Sequence, residues 1–179
     1  MRRSLRWLVV CLAPILLSAC GFHLRGSTTT ALPEALNQLR VLVTDSKLVN
    51  EPLRVIMTNT LQAGADVTVT DDPGVPALLL SSERADVQVI AVNVLGRASA
   101  YTMRYEVTYR VIEAGGKVLL PTQSVRLLRD YTFDPVNVLA KEREEQDLKR
   151  AMQREAAQQI VRRLARSTLS DRPVDATRP

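Results

Sequence analysis

Histidine and cysteine are scarce in this chain of 179 residues: His23 is the single histidine, and Cys11 and Cys20 are the two cysteines. Histidine is the commonest general base in proteins, and His23 lies just after Cys20 in a polar tether, where no packed core could orient it. No serine–histidine–aspartate triad can form without it, and no group of His, Cys, Asp and Glu has metal-ligand spacing. The sequence therefore predicts a protein that is not an enzyme and needs no metal or cofactor.

The N-terminal apolar run, residues 7–17, is too short for a transmembrane helix, which needs about 20 residues. Three arginines precede it, at positions 2, 3 and 6, and this arrangement is typical of a secretory signal peptide. The run ends in Leu17-Ser18-Ala19-Cys20, a lipobox with small residues beside the bond to be cut. We expect cleavage before Cys20 and a diacylglycerol thioether on its sulfur.

This processing would use both cysteines, because Cys11 leaves with the signal peptide and Cys20 carries the lipid. The mature chain would then have no thiol for a disulfide or for catalysis. Acyl chains on Cys20 would hold the protein at a membrane surface without spanning it. Gly21 follows Cys20 where an aspartate would favour inner-membrane retention in many bacteria, so we expect the outer membrane.

The mature chain would also carry only a small net charge. The full sequence has a formal charge of +5, and removing Arg2, Arg3 and Arg6 leaves 5 − 3 = +2. A nearly neutral chain argues against a general nucleic-acid binder. Any anionic ligand must therefore be met by a local cluster of arginine and lysine.

The remaining residues predict an α+β domain. Tyr101 begins the clearest strand, residues 101–111, in which apolar and polar residues alternate as in a half-buried antiparallel strand. The other predicted strands are residues 38–44, a brief 67–70, 77–94 as one bent strand or two short ones, and 123–133, after a Gly115-Gly116 hairpin turn. A short helix is predicted between an Asn50 cap and Gly64.

A long last helix is predicted after Asp134 and Pro135, with apolar residues at helical spacing. These are Leu148, Met152, Ala156, Ile160 and Leu164. The expected fold is two helices packed on one face of a four-stranded, largely antiparallel sheet. We divide the chain into a signal peptide (1–19), a lipidated N-terminus and tether (20–31), the α+β domain (32–166) and a disordered tail (167–179).

Basic residues are the only candidates for a binding site. Arg97 lies in the loop NVLGRASA before the alternating strand, and Lys141 lies near the start of the last helix. Further arginines lie on the polar face of the hairpin strands, at positions 104, 110 and 126. These cations either spread evenly over the surface or converge at one end of the sheet, where they would suit phosphates.

Three parts of the chain together resemble one family. They are the stretch CGFHLRG from Cys20, Tyr101 at the head of the alternating strand, and Leu139-Ala140-Lys141 followed by Glu145-Gln146-Asp147. The combination resembles the lipopolysaccharide (LPS) assembly lipoproteins of the LptE family. The similarity covers roughly residues 20–166 in the same order of elements.

The resemblance implies a fold of two helices on a four-stranded sheet. It implies an outer-membrane lipoprotein that plugs the LptD-type β-barrel, helps it fold, and binds LPS during delivery to the outer leaflet. In the family a lysine of the LAK motif helps bind LPS, which implies this role for Lys141. The family's second basic position corresponds here to Val94, and Arg97 is the neighbouring basic residue that the resemblance makes a candidate for that role.

Two alternatives remain open from the sequence. The first is a free outer-membrane lipoprotein that acts as a structural or lipid-carrier module without an obligate barrel. The second is a hydrolase whose general base is a residue other than His23.

The lipobox predicts that Cys20→Ala abolishes acylation, because no other thiol would stand at the new N-terminus. Metabolic labelling with a radioactive or clickable fatty acid measures this directly on the immunoprecipitated protein. Labelled acyl chains persisting on the variant would contradict the assignment.

Overall fold

The computed structural model describes residues 31–44, 52–132 and 138–169. The predicted signal peptide, the lipidation site Cys20, the caps Asn50 and Asp134, and the tail from residue 170 lie outside the described residues. The described part contains one sheet and two long helices. A short 3₁₀ turn, Glu34–Leu36, precedes the first strand and buries Leu36.

The sheet has five strands in the order β2-β1-β3-β4-β5. They are β1 (Gln38–Val43), β2 (Thr68–Val69), β3 (Ala77–Val92), β4 (Ala98–Ile112) and β5 (Val118–Thr132). Strand β1 runs parallel to both of its neighbours, and β3, β4 and β5 are antiparallel. The predicted α+β class with two helices is therefore confirmed, but the sheet is mixed and has five strands rather than four.

The fifth strand, β2, lies within the brief strand predicted at residues 67–70, but the expected four-stranded sheet did not include it. Its backbone bonds join it to the β1 region, from the N–H of Thr68 to the carbonyl of Asn37 at 2.9 Å and from the N–H of Thr70 to that of Leu39 at 3.0 Å. The helix α1 (Pro52–Ala65) lies between β1 and β2 in the chain, and a helical crossover is the usual way to make neighbouring strands parallel. Because β1 and β2 are separated by a helix in the chain, their pairing leaves no local pattern in the sequence.

Strand β3 is one continuous bent strand. The bend is a bulge between Ser81 and Arg84, where Ser82 adopts a positive φ of 52°. Beyond it, β3 pairs with β4 as far as the turn at residues 93–97. The predicted Gly115-Gly116 turn joins β4 to β5, with Gly116 in the left-handed region at φ 84° that glycine adopts without strain.

The predicted alternation of β4 is confirmed. Its six inward residues, at positions 101, 103, 105, 107, 109 and 111, are all buried, whereas Arg104 and Arg110 on the other face are exposed. The long C-terminal helix contacts β4 and β5, helix α1 contacts β1 and β2, and the two helices contact each other around one core cluster. Both helices therefore cover the same face of the sheet, and the core lies between them and β4.

The helices bury the predicted apolar stripes. In α1, Leu53, Met57 and Leu61 are buried, and the helix runs one residue past Gly64 before Asp66 turns the backbone with a φ of 53°. In α2 (Val138–Arg166), Leu148 is half-buried, and the other four predicted stripe residues are fully buried. None of the described helices is both long and apolar enough to span a membrane.

A polar junction ties α2 to the bulge in β3. Glu83 accepts hydrogen bonds from the Tyr105 hydroxyl at 3.1 Å and from the buried Gln153 amide at 2.7 Å. Lys149 Nζ lies 3.7 Å from the same carboxylate oxygen. Since a buried amide without a partner is costly, this junction fixes the rotation of α2 over the sheet.

The core predicts a large loss of stability for Ile160→Ala. Ile160 is fully buried between α2 and the sheet, and truncating such a side chain lowers the free energy of unfolding by about 2–5 kcal/mol. Urea denaturation followed by circular dichroism measures the change. Arg162→Ala, an exposed position on the same helix, is the matched control and should stay within about 0.5 kcal/mol. Equal effects of the two variants would contradict this packing.

Candidate anion-binding site

Lys141 lies in the first turn of α2, where the helix crosses the end of the sheet at which β4 begins. Its Nζ is 4.3 Å from the centre of the Tyr101 ring. A cation above an aromatic face is attracted by the ring quadrupole. Tyr101 is buried, so the ring is a fixed platform that holds the ammonium at the edge of the core.

Tyr131 of β5 supports this platform. It lies directly opposite Tyr101, and the two rings stack with their centroids 5.3 Å apart and their planes at 17°. Its hydroxyl donates a hydrogen bond of 2.5 Å to Glu145 Oε1. Burial, and next the hydrogen bond to Glu145, raises the pKa of Tyr131, so this hydroxyl stays protonated and remains a donor.

Glu145 completes the cluster, one helical turn after Lys141. Its Oε1 is 3.7 Å from Lys141 Nζ, longer than the 2.7–2.9 Å typical of a charge-assisted hydrogen bond. The side chains of Lys141 and Glu145 are 29% and 27% exposed, so both reach solvent. We call these four residues, Tyr101, Tyr131, Lys141 and Glu145, the Lys141 site.

The start of α2 adds to the attraction for anions. Its backbone N–H groups carry the positive end of the helix dipole, and acidic residues usually occupy this turn. The first turn of α2 contains no acidic residue and holds Lys141 instead. The Lys141 cation therefore lies where the helix dipole disfavours it. The ammonium and the dipole would both attract a negatively charged ligand at this turn.

An apolar strip borders the Lys141 site. Val89 and Val87 of β3 lie directly opposite Tyr101 and Met103 of β4, so their side chains share the face that carries Lys141. They are 55% and 40% exposed. Strand β1 pairs with β3 only as far as Leu80, and beyond that point no described strand pairs with this edge of β3, whose other edge pairs with β4. Val87 and Val89, the valine strip, are thus open to solvent beside a cation.

Arg97 lies at the same end of the sheet, in the turn that joins β3 to β4. The Asn93 side chain holds this turn by accepting hydrogen bonds from the backbone N–H groups of Leu95 and Arg97, at 2.9 and 3.0 Å. Arg97 is exposed, and so is Val94 in the same turn. The structure brings Arg97 and Lys141 to one end of the sheet, but within the described residues it shows no contact between them.

The three hairpin arginines that the sequence made candidates lie on the opposite face of the sheet. Arg126 forms an ion pair of 2.8 Å with Glu106, and Arg104 lies directly opposite Asp86. Arg110 is exposed on the same face. These three arginines are therefore spread over the outer face, and they do not converge with Lys141.

Sequence reasoning missed Tyr131 and Glu145 as members of the site. Tyr131 falls within the predicted strand 123–133, and Glu145 belongs to the family motif, but neither residue is marked by the sequence as part of a binding site. The spacing of four between Lys141 and Glu145 was a usable signal for a helical pair. The contact of Glu145 with Tyr131 depends on where α2 lies over the sheet, which the sequence does not state.

Comparisons with known proteins agree on one family. The family model described as "LptE: Lipopolysaccharide-assembly" matches residues 26–164. The LPS-assembly lipoprotein LptE of Pectobacterium atrosepticum is 33% identical over 172 residues, covering 92% of this chain and 86% of that protein. The protein of the same name from Photorhabdus laumondii is 32% identical over 170 residues, covering 92% and 87%.

Solved structures show the same fold. The crystal structure of rare lipoprotein B from Shewanella oneidensis has a TM-score of 0.60 and 25% identity, covering 72% of this chain and 94% of that one. The solution structure of lipoprotein B from Nitrosomonas europaea has a TM-score of 0.64 and 23% identity, covering 81% and 90%. The arrangement of two helices on a sheet is therefore shared with known lipoproteins.

Proposed function

This chain belongs to the LptE family of LPS-assembly lipoproteins, and from that premise we propose that it binds LPS and works with an LptD-type β-barrel. In this proposal it is a non-enzymatic lipoprotein of the outer membrane, anchored through Cys20. It plugs the barrel, helps to assemble it, and binds LPS during insertion into the outer leaflet. Residues 32–166 form the functional domain, after a signal peptide (1–19) and a tether (20–31) and before a tail (167–179).

The observation that carries LPS binding is the position of Lys141 beside exposed apolar surface. LPS combines phosphates with acyl chains, so its receptor needs a cation next to a hydrophobic strip. Lys141 supplies the cation at a helix N-terminus, and Val87 and Val89 supply apolar surface on the same face. Arg97 lies at the same end, where it would meet a second anionic group of a large ligand.

The outer face of the sheet supports the barrel partnership. Polar side chains on this face pair across strands: Ser81 with Thr108 at 2.8 Å, Glu106 with Arg126, and Thr102 with Asp130 at 2.5 Å. A face rich in charged and hydroxyl side chains suits contact with a hydrated, polar surface better than burial in a core. The interior of an outer-membrane barrel is such a surface.

The barrel partnership predicts co-purification in equal amounts. The protein, tagged after Pro179, is extracted from membranes in mild detergent, and the eluted proteins are identified by mass spectrometry. A heat-modifiable outer-membrane barrel at a one-to-one ratio is the expected result. Elution of the lipoprotein alone would instead favour the alternative, a free outer-membrane lipoprotein acting as a structural or lipid-carrier module.

The Lys141 site predicts that Lys141→Glu weakens LPS binding by about tenfold, because a loss of about 1.4 kcal/mol follows from replacing a cation by an anion at a phosphate contact. Binding of LPS to the purified full-length lipoprotein in detergent is measured by surface plasmon resonance. Arg162→Glu makes the same charge change at a distant exposed position of α2 and is the control.

Both variants should keep the fold, since an exposed cation–π contact contributes only about 0.5–1 kcal/mol. Thermal unfolding checks this. Unchanged LPS binding by a folded Lys141→Glu protein would contradict the assignment of the site, as would an equal loss in the control.

A further inference from the structure

Glu145 forms a long ion pair with the Lys141 ammonium beside it. It is the acidic partner of the described ion pair of Lys141, yet its Oε1 remains 3.7 Å from the ammonium. In a helix the pair is also in the weaker order, because a lysine four residues before a glutamate interacts less well with it than the reverse arrangement. This carboxylate therefore neutralises Lys141 without bonding closely to it.

Tyr131 explains why the pair stays open. The Glu145 oxygen that faces Lys141 is the same one that accepts the 2.5 Å hydrogen bond of the Tyr131 hydroxyl. Tyr131 is only 9% exposed and is stacked on Tyr101, so its hydroxyl has a fixed position. The carboxylate is thereby held by a neutral donor on β5 instead of moving toward the ammonium.

We propose that Glu145 is an internal counter-ion which a phosphate of the bound lipid must displace from Lys141, and that Tyr131 holds it back so that this exchange is possible. The inference rests on the proposed function and specifies how the same site is regulated. An ammonium has three N–H donors, and Lys141 uses one face against the Tyr101 ring. A phosphate oxygen bonds to the Lys141 ammonium at a shorter distance than the 3.7 Å of the Glu145 carboxylate.

The consequence is a site that exchanges its ligand. A bare lysine at a helix N-terminus would retain a phosphate with its full attraction, which would slow the release of a lipid in transit. Glu145 competes for the same ammonium and lowers the net charge of the site to zero. The competition acts on dissociation, because the returning carboxylate replaces the phosphate as it leaves.

The test compares four variants of the full-length lipoprotein in detergent, with intact LPS and with chemically dephosphorylated LPS as the probes. Glu145→Gln removes the charge and keeps an oxygen that accepts the Tyr131 hydrogen bond. We expect about two- to fivefold tighter binding of intact LPS, the range set by a solvent-exposed ion pair, mostly through slower dissociation. Binding of dephosphorylated LPS should not change.

Tyr131→Phe keeps the stacked ring and releases Glu145 toward Lys141. It should weaken binding of intact LPS by a similar factor, and the double variant Tyr131→Phe with Glu145→Gln should return to the affinity of Glu145→Gln alone. Glu142→Gln makes the same charge change at an exposed neighbouring position of α2 and should have no effect.

The outcomes separate this inference from the function on which it rests. Unchanged or weaker binding by Glu145→Gln would overturn it, because a residue that only positions Lys141 would lower affinity when altered. An equal gain in Glu142→Gln would also overturn it, since bulk charge would then be the cause. If Lys141→Glu still binds LPS normally, the proposed binding site fails, and the role of Glu145 fails with it.

Discussion

The packing of α2 across the buried face of β4 is the contact on which the other features depend. Met152, Ala156 and Ile160 are buried in one core cluster with the alternating residues of β4, and α2 contacts that strand. The same helix contacts α1 and β5. Its position over the sheet decides where Lys141 stands, because residue 141 lies at the end of the helix that crosses the start of β4.

Hydrogen bonds from buried tyrosines orient α2 on the sheet, in addition to this hydrophobic contact. Tyr105, Tyr109 and Tyr131 bury their rings in the core, and each hydroxyl finds a polar partner: Glu83, Gln123 and Glu145. Two of these partners join the sheet to α2, directly through Glu145 and through Glu83 to Gln153. Burial also raises the pKa of Tyr109, against the lowering effect of Arg163, so its hydroxyl stays a donor at neutral pH. Hydrogen bonds of this kind select one rotation of the helix, which hydrophobic contact alone would leave less specific.

The two faces of the sheet have different chemistry because only one is covered. On the outer face, hydroxyls and several charges pair across strands, as Ser81 does with Thr108 and Glu106 with Arg126. The helix face is apolar, and it becomes open where β1 ends opposite Leu80 while β3 continues. Exposed valines, a stacked pair of tyrosines and the cation of α2 lie at that end, and this combination supports the proposed binding of an amphiphilic ligand.

The sequence by itself determined the α+β class, the inward face of β4, the buried stripe of α2 and the family, because each follows from a local period or a short motif. It also pointed to Lys141 and Arg97. Only the tertiary structure decided that β2 joins the sheet, that α2 places Lys141 against Tyr101, and that Tyr131 and Glu145 belong to its site. These are contacts between segments far apart in the chain, and they depend on strand order and on the rotation of a helix, for which a sequence contains no local signal.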